Sequence, residues 1–483
     1  MLKSIGIITI LLITIFSLSL NLIIIPFQTY NPLVSKSQHL NKLIKKSSNK
    51  EIIDTISRNL IYSHLEIGEN KQNISIFIEM GTNEIYIKNL IIHTGLPPLK
   101  INYSNFTYND NYLLNNISQL NYYNSSLSKS YKYIRSCPEY LEDYFYDRDI
   151  FAKEIIYLLE KNYSTNIKIK KPISFYLNFK ELEIWDHRPG VIGLKIKNEF
   201  IKRLKNLSLI NNYNWYINYT DYLEEKGEII IGDIFFSKEV NLRNAKIFNK
   251  NNYEYSLIFD DIYLSINDNK NEYYCLQKSA IIIFYIEESF IIGTNEYFKF
   301  IENIFFKKYF KEGICEKETH KKQNFKNDFF YFICYIEDNN KKNEFFNNFP
   351  SIIFYQKEMN YNFTLNSKDL FTIIPDKKRI LFNIVEFYNN NSNKWVLGKP
   401  FLKKYQLIFD SELNIISYYI NSNIDIKMFK KNEINIKLLS FIIIITFFVG
   451  VLFGKLLLFK YNRKLKANEL EDNYSYLSNN VNK

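Results

Sequence analysis

The stretch Trp395-Val396-Leu397-Gly398-Lys399-Pro400-Phe401-Leu402-Lys403-Lys404-Tyr405-Gln406-Leu407-Ile408-Phe409-Asp410 decides how this chain is read. Its front is an apolar pair closed by glycine, Val396-Leu397-Gly398, and its back, Gln406 to Phe409, reads as a strand. A glycine has no Cβ, so another stretch of backbone can pass close behind it. A second such element lies far upstream at Val191-Ile192-Gly193. Each is preceded by an apolar strand that runs into a sharp turn, the first near His93 and the second near Tyr285. The pattern hints at a duplicated body.

Working outward, short apolar runs alternate with Asn, Asp, Ser and Lys. Ile74 to Met80, Gly81 to Glu84 and Ile85 to Ile87 read as strand, turn, strand. Ile229 to Ile231 and Ser279 to Tyr285 read as further strands. Helical patterning is sparse, with Phe151 to Lys161, Glu199 to Leu207 and Glu296 to Lys307 the better candidates. Many strands and few helices predict an all-β body.

The 483 residues suffice for one large two-lobed domain. A composition 46% hydrophobic and 17% aromatic is that of a folding chain, not a disordered one. The net charge is +11, but the lysines are scattered or sit near the apolar ends. Without a concentrated basic stripe, nucleic-acid binding is not expected. Four cysteines, Cys137, Cys275, Cys315 and Cys334, form no CxxC pair, and the few histidines are dispersed. No metal or cofactor is expected; one or two disulfides in an oxidising compartment suit the count.

Two long apolar runs frame the chain. Ser4 to Phe27, preceded by Lys3, reads as a signal peptide or signal-anchor helix. Leu438 to Phe459 is long enough to cross a bilayer as a helix, with Lys455 close enough to its end to snorkel. Lys460, Arg463, Lys464 and Lys466 follow, which places residues 460–483 in the cytosol and the bulk of the chain in the lumen or outside the cell. Residues 28–71 read as a linker or pro-segment.

The opening stretch resembles the pepsin-like aspartic proteases, and within them the plasmepsin-type branch. Their pattern there is W-I-L-G-D-x-F-L-R-x-Y-Y-x-x-F-D, and its spacing holds from Trp395 to Asp410, with Lys399 in place of the usual Asp. Other landmarks follow in order. Ile78 to Thr82 looks like the strand and turn ahead of the first active-site loop, and Leu90 to Gly95 looks like that loop. Gly190 to Leu194, Lys226 to Asp233 and Phe349 to Phe354 look like later strands of the same fold. The resemblance implies a bilobal acid-protease fold, with an N-terminal β lobe over 72–220 and a C-terminal β lobe over 221–428. It also implies a Cys315–Cys334 disulfide and, within Cys137 to Phe145, Tyr140 as the flap tyrosine.

The family's chemistry uses two aspartates, one per lobe, which share a proton and activate a water. On this reading the first loop is His93-Thr94-Gly95, with no carboxylate. The second aspartate position falls on Ile283 if anchored on Ala280, or on Tyr285 if anchored on Ser289 and Gly293. Neither is an acid. Glu287 and Glu288 are the nearby carboxylates; either could pair with His93, while the plainer expectation makes them solvated turn residues. The expected function is a membrane-anchored, catalytically degenerate homologue with a peptide- or protein-binding cleft between its lobes. The alternatives are an active histo-aspartic-like endopeptidase using His93 with an unidentified acid, and a structural or adhesion ectodomain.

Overall fold

A computed structural model describes residues 21–29, 48–57, 61–82, 85–88, 123–134, 150–162, 168–180, 189–196, 198–221, 226–232, 242–248, 254–267, 272–320, 328–374, 378–387, 394–419 and 455. The chain divides into Met1–Ser422, which holds the β body, and Asn423–Lys483, of which only Lys455 is described. The expected membrane helix 438–459 and cytosolic tail therefore lie outside the described residues. Among the described residues, no helix is long and apolar enough to cross a membrane.

The body is mostly β, built on two curled sheets, as an all-β reading requires. The first has thirteen strands. Its middle runs Leu407–Asp410, Asn214–Asp221, Lys226–Gly232, Asn21–Thr29, Ile61–Ile67, Gln72–Glu79, Gly190–Gly193, Ile85–Lys88. The second sheet includes Ser256–Asn267, Glu272–Phe284, Lys394–Leu397, Ile291–Ile292, Ile384–Phe387 and Phe329–Tyr335. Both lobes contribute to the first sheet, because Asn214–Asp221, Lys226–Gly232 and Leu407–Asp410 all join it.

Two expectations are corrected. The end of the apolar run, Asn21–Thr29, is a strand and not part of a helix. It pairs antiparallel with Lys226–Gly232 from Leu22–Gly232 to Gln28–Lys226. Ile23, Ile25 and Phe27 enter the main core, while Leu22 and Ile24 pack on the other face with Tyr216, Ile230 and Ile408. A strand covered on both faces needs an unbroken apolar run, so composition alone cannot distinguish it from a buried helix. Residues 1–20 lie outside the described residues. The sheet thus begins ahead of the expected lobe boundary at 72, and Ile61–Ile67 also belongs to it.

The second correction concerns Phe151 to Lys161, read as a helix but found within the strand Ile150–Asn162. It pairs with Lys168–Lys180 along its length. Ala152, Glu154, Ile156 and Leu158 are buried on alternate positions, which is the period of a strand. The helix Glu199–Asn206 forms as expected, capped by Asn198, whose side chain accepts from the Ile201 N–H at 2.7 Å.

Aromatic residues fill the core. Trp215 stacks on Phe409 at 4.5 Å and donates to the Tyr255 hydroxyl at 3.1 Å. Trp395 is fully buried and donates to Gln277 at 3.0 Å. Cys315 and Cys334 face each other on neighbouring strands and are disulfide-bonded, the pairing implied by the resemblance. The helix Asn49–Ser57 lays Ile52, Ile53 and Ile56 against Ile292, Phe329, Tyr331, Ile333, Leu381 and Val385 of the second sheet and the adjoining Phe290 and Ile374. Asn49 fastens its start, donating to Glu318 and Tyr335 and accepting from Arg379.

Candidate functional site

The same backbone frame occurs once in each sheet. In the first, Gln72–Glu79 runs parallel to Gly190–Gly193, turns, and returns as Ile85–Lys88, antiparallel to that strand and parallel to Lys168–Lys180. In the second, Glu272–Phe284 runs parallel to Lys394–Leu397, turns, and returns as Ile291–Ile292, antiparallel to that strand and parallel to Ile384–Phe387. The middle strand of each frame is one of the apolar-apolar-glycine elements. Gly398 is required there: a Cβ would lie 2.3 Å from the carbonyl oxygens of Glu288 and Phe290.

Register fixes which turn residues correspond. Ile78 pairs with Ile192 and Phe284 with Leu397, each just before its glycine. Ile85 closes the first turn opposite Ile192, and Ile291 closes the second, since Ile292 pairs with Val396. The turns are equal in length, because 85 − 78 and 291 − 284 are both 7. Glu79 therefore matches Tyr285, Met80 matches Ile286, Gly81 matches Glu287 and Thr82 matches Glu288.

The two turns meet through Glu287. One carboxylate oxygen accepts from the Met80 N–H at 3.1 Å and the other from the Gly81 N–H at 3.0 Å. Those amides belong to the opposite frame. The residue is half-buried, and loss of hydration pushes its pKa up to about 7. The Glu79 charge pushes the same way, while the Met80 and Gly81 amides oppose it. Tyr285 donates its hydroxyl to Glu254 at 3.0 Å, and burial with the Glu254 charge holds its proton firmly in place. Phe284 is buried among Phe401 and Phe409, so it is core and does not line a cleft. No group of three His, Cys, Asp or Glu suited to a metal occurs among the described residues.

No protein-family model matches the chain, and no curated protein matches it. Among solved structures, basic 7S globulin from soybean, a protein of pepsin-like fold, aligns with a TM-score of 0.51 over 84% of this chain and 98% of that one, at 10% identity. The chain has a pepsin-like fold.

Within this fold, several sequence readings meet the geometry. His93, Thr94, Gly95 and Tyr140 lie outside the described residues. Tyr285 opens the second turn, directly after the strand that ends at Phe284. Ile283 lies inside that strand. Glu287 is not a solvated turn residue, because the first frame's amides hold it. Lys399 is buried at the start of the helix Lys399–Lys404, its N–H donating to the Glu288 carbonyl at 2.8 Å.

Sequence reasoning missed Glu79. Phe77-Ile78-Glu79-Met80-Gly81-Thr82 carries an acid, one residue, a glycine and a hydroxyl after an apolar strand, the order of the family's loop with Glu for Asp and Met for Thr. By resemblance the same residues read as the turn ahead of the loop.

Proposed function

We propose that the chain is a pepsin-like-fold homologue that has given up aspartate chemistry and holds a peptide or protein segment between its lobes. The observation that carries the reading is the occupancy of the two matched turns. A phenol stands at Tyr285, opposite Glu79 in the duplicated frame, and its proton is held by burial and by Glu254. A phenol in that state cannot take a proton from water as an ionised aspartate does. Both oxygens of Glu287, the carboxylate reaching across, accept from the Met80 and Gly81 amides. The Trp395 to Asp410 pattern supports a place near the plasmepsin-type branch. The apolar run Leu438 to Phe459 with its basic flank supports membrane attachment, with the β body on the lumenal or outer side.

The test is cleavage of a mixed-sequence peptide library by the full-length protein in detergent from pH 4 to pH 8. No cleavage is expected. Cleavage that disappears in Glu79→Gln, Glu287→Gln or His93→Ala would overturn the non-catalytic reading and identify the working group. Alkaline extraction of membranes from expressing cells tests attachment: the full chain should stay in the pellet, and a chain ending at Ser422 should not.

A further inference from the structure

The pattern Asn-aromatic-Thr occurs at Asn105-Phe106-Thr107, Asn218-Tyr219-Thr220 and Asn362-Phe363-Thr364. In a chain whose body enters the secretory lumen, each is an acceptor signature for an N-linked glycan. The first lies outside the described residues; the fold separates the other two. Asn218 sits in the strand Asn214–Asp221, which is paired on both sides, to Lys226–Gly232 and to Leu407–Asp410. It is buried, and its side-chain oxygen accepts from Gln406 at 3.1 Å. Backbone crowds it as well, since a Cβ on Gly227 would lie 2.1 Å from the Asn218 carbonyl oxygen. A sugar on that side chain has no room in the folded sheet.

Asn362 has the opposite setting. Its strand, Tyr361–Leu365, ends the second sheet and pairs only with Ser351–Gln356. Phe363 and Leu365 are buried, so Asn362 and Thr364 stand on the other face, where Asn362 is exposed. Tyr405 seals the edge at Thr364: its hydroxyl accepts from the Thr364 N–H and donates to the Thr364 carbonyl, each at 2.7 Å. Backbone groups alternate sides along a strand, so those of Asn362 point to the same edge, two residues beyond the seal. Tyr355 stands directly opposite Asn362, half-buried on the same face.

We propose that Asn362 is the acceptor of an N-linked oligosaccharide, and that the glycan covers the open edge of the second sheet. The inference rests on the lumenal or outer placement of the β body in the proposed function. The donor is an oligosaccharide carried on a lipid pyrophosphate. The Asn362 amide nitrogen forms a bond to C1 of the donor's first sugar, and the bond from C1 to the pyrophosphate oxygen breaks. The lipid pyrophosphate leaves with the electron pair, and the amide gives up one proton. Transfer meets the chain before its sheets close, so the fold acts as a filter. A sugar at Asn362 stays in water, whereas one at Asn218 would keep its strand out of the sheet. A bare edge offers backbone N–H and C=O groups to the edge of a second copy, and a bulky, hydrated glycan beside it blocks that approach. The Tyr355 ring supplies an apolar surface for the C–H face of the first sugar.

The test uses full-length protein from a glycosylating animal-cell host, purified in detergent, treated with peptide N-glycosidase in heavy-oxygen water and digested for mass spectrometry. The enzyme leaves a heavy-oxygen aspartate wherever a glycan stood. The label is expected at position 362 and not at 218. Asn362→Gln, and Thr364→Ala, which keeps the asparagine but breaks the acceptor pattern, should each lose the mass of one glycan. With every other glycan in place, both variants should raise the higher-order species seen by light scattering about twofold or more. An unlabelled Asn362 or a label at Asn218 would overturn the site, and unchanged association in both variants would overturn its covering of the edge. Protease protection in sealed microsomes separates this result from the proposed function. A protected β body with a bare Asn362 sinks the site alone, whereas a digested body sinks the lumenal placement and the site with it.

Discussion

The turn after Glu79 and the turn after Phe284 share one frame and almost no chemistry. Both have the same length, the same parallel ladder entering and the same antiparallel return. One carries Glu79-Met80-Gly81-Thr82 and the other Tyr285-Ile286-Glu287-Glu288. Backbone pairing and a glycine behind the turn therefore preserve this architecture. The side chains at the two turns differ while the frame around them is the same.

The comparison breaks most sharply at the glycines of the two middle strands. Gly398→Ala should cost roughly 3 kcal/mol or more, because the added methyl meets two backbone carbonyl oxygens that cannot move aside. Gly190→Ala, at the other end of the first frame's middle strand opposite Ile87, should cost less, about 1–2 kcal/mol, since its nearest neighbour is the flexible end of Ile76 and the Tyr86 carbonyl oxygen is 3.0 Å away. Chemical denaturation midpoints of the two variants decide whether the frames are equally strict.

The disulfide comes next. Cys315 and Cys334 staple only the second sheet, and among the described residues no other disulfide occurs. Replacing both by serine should lower stability by about 3 kcal/mol on the chain-entropy estimate. Limited proteolysis should then cut the second lobe first.

A smaller effect separates the turns by pH. The folded state keeps the Glu287 proton up to about pH 7, whereas the unfolded chain loses it near 4.5. Stability from this group is therefore full below 4.5 and is lost as pH rises through about 7. Glu287→Gln should remove that decline and gain about 1–2 kcal/mol over the native chain at pH 8, a figure discounted for partial exposure. Thermal melts across that window check it; a native-like pH slope in the variant would refute it. Smallest of all, Tyr285→Phe should cost about 1 kcal/mol for one hydrogen bond to Glu254, read from the same melts.

Much of the fold was legible in the sequence. Trp395 to Asp410 pointed to the fold type by resemblance, Glu199 to Leu207 read as a helix, and the disulfide followed from the resemblance. Local reading failed where the answer was nonlocal. Ile150–Asn162 has apolar residues that satisfy either period, and only its ladder with Lys168–Lys180 settles the matter. Asn21–Thr29 is apolar on both faces because both are covered. Glu79 was hidden for the same reason: its match to Tyr285 exists only through the strands Gly190–Gly193 and Lys394–Leu397, each more than a hundred residues downstream of its partner turn.

The helix Asn49–Ser57 adds a constraint of a different kind. It joins the strand Ile61–Ile67 through three residues, 58–60, and it covers an apolar face that includes Phe290 and Ile292, beside the second turn. A helix tied so closely is present at its own site at an effective concentration on the order of millimolar, whatever the cell's level of the protein. A peptide seeking that face competes with an occupant that never diffuses away. Only a partner of high intrinsic affinity would displace it.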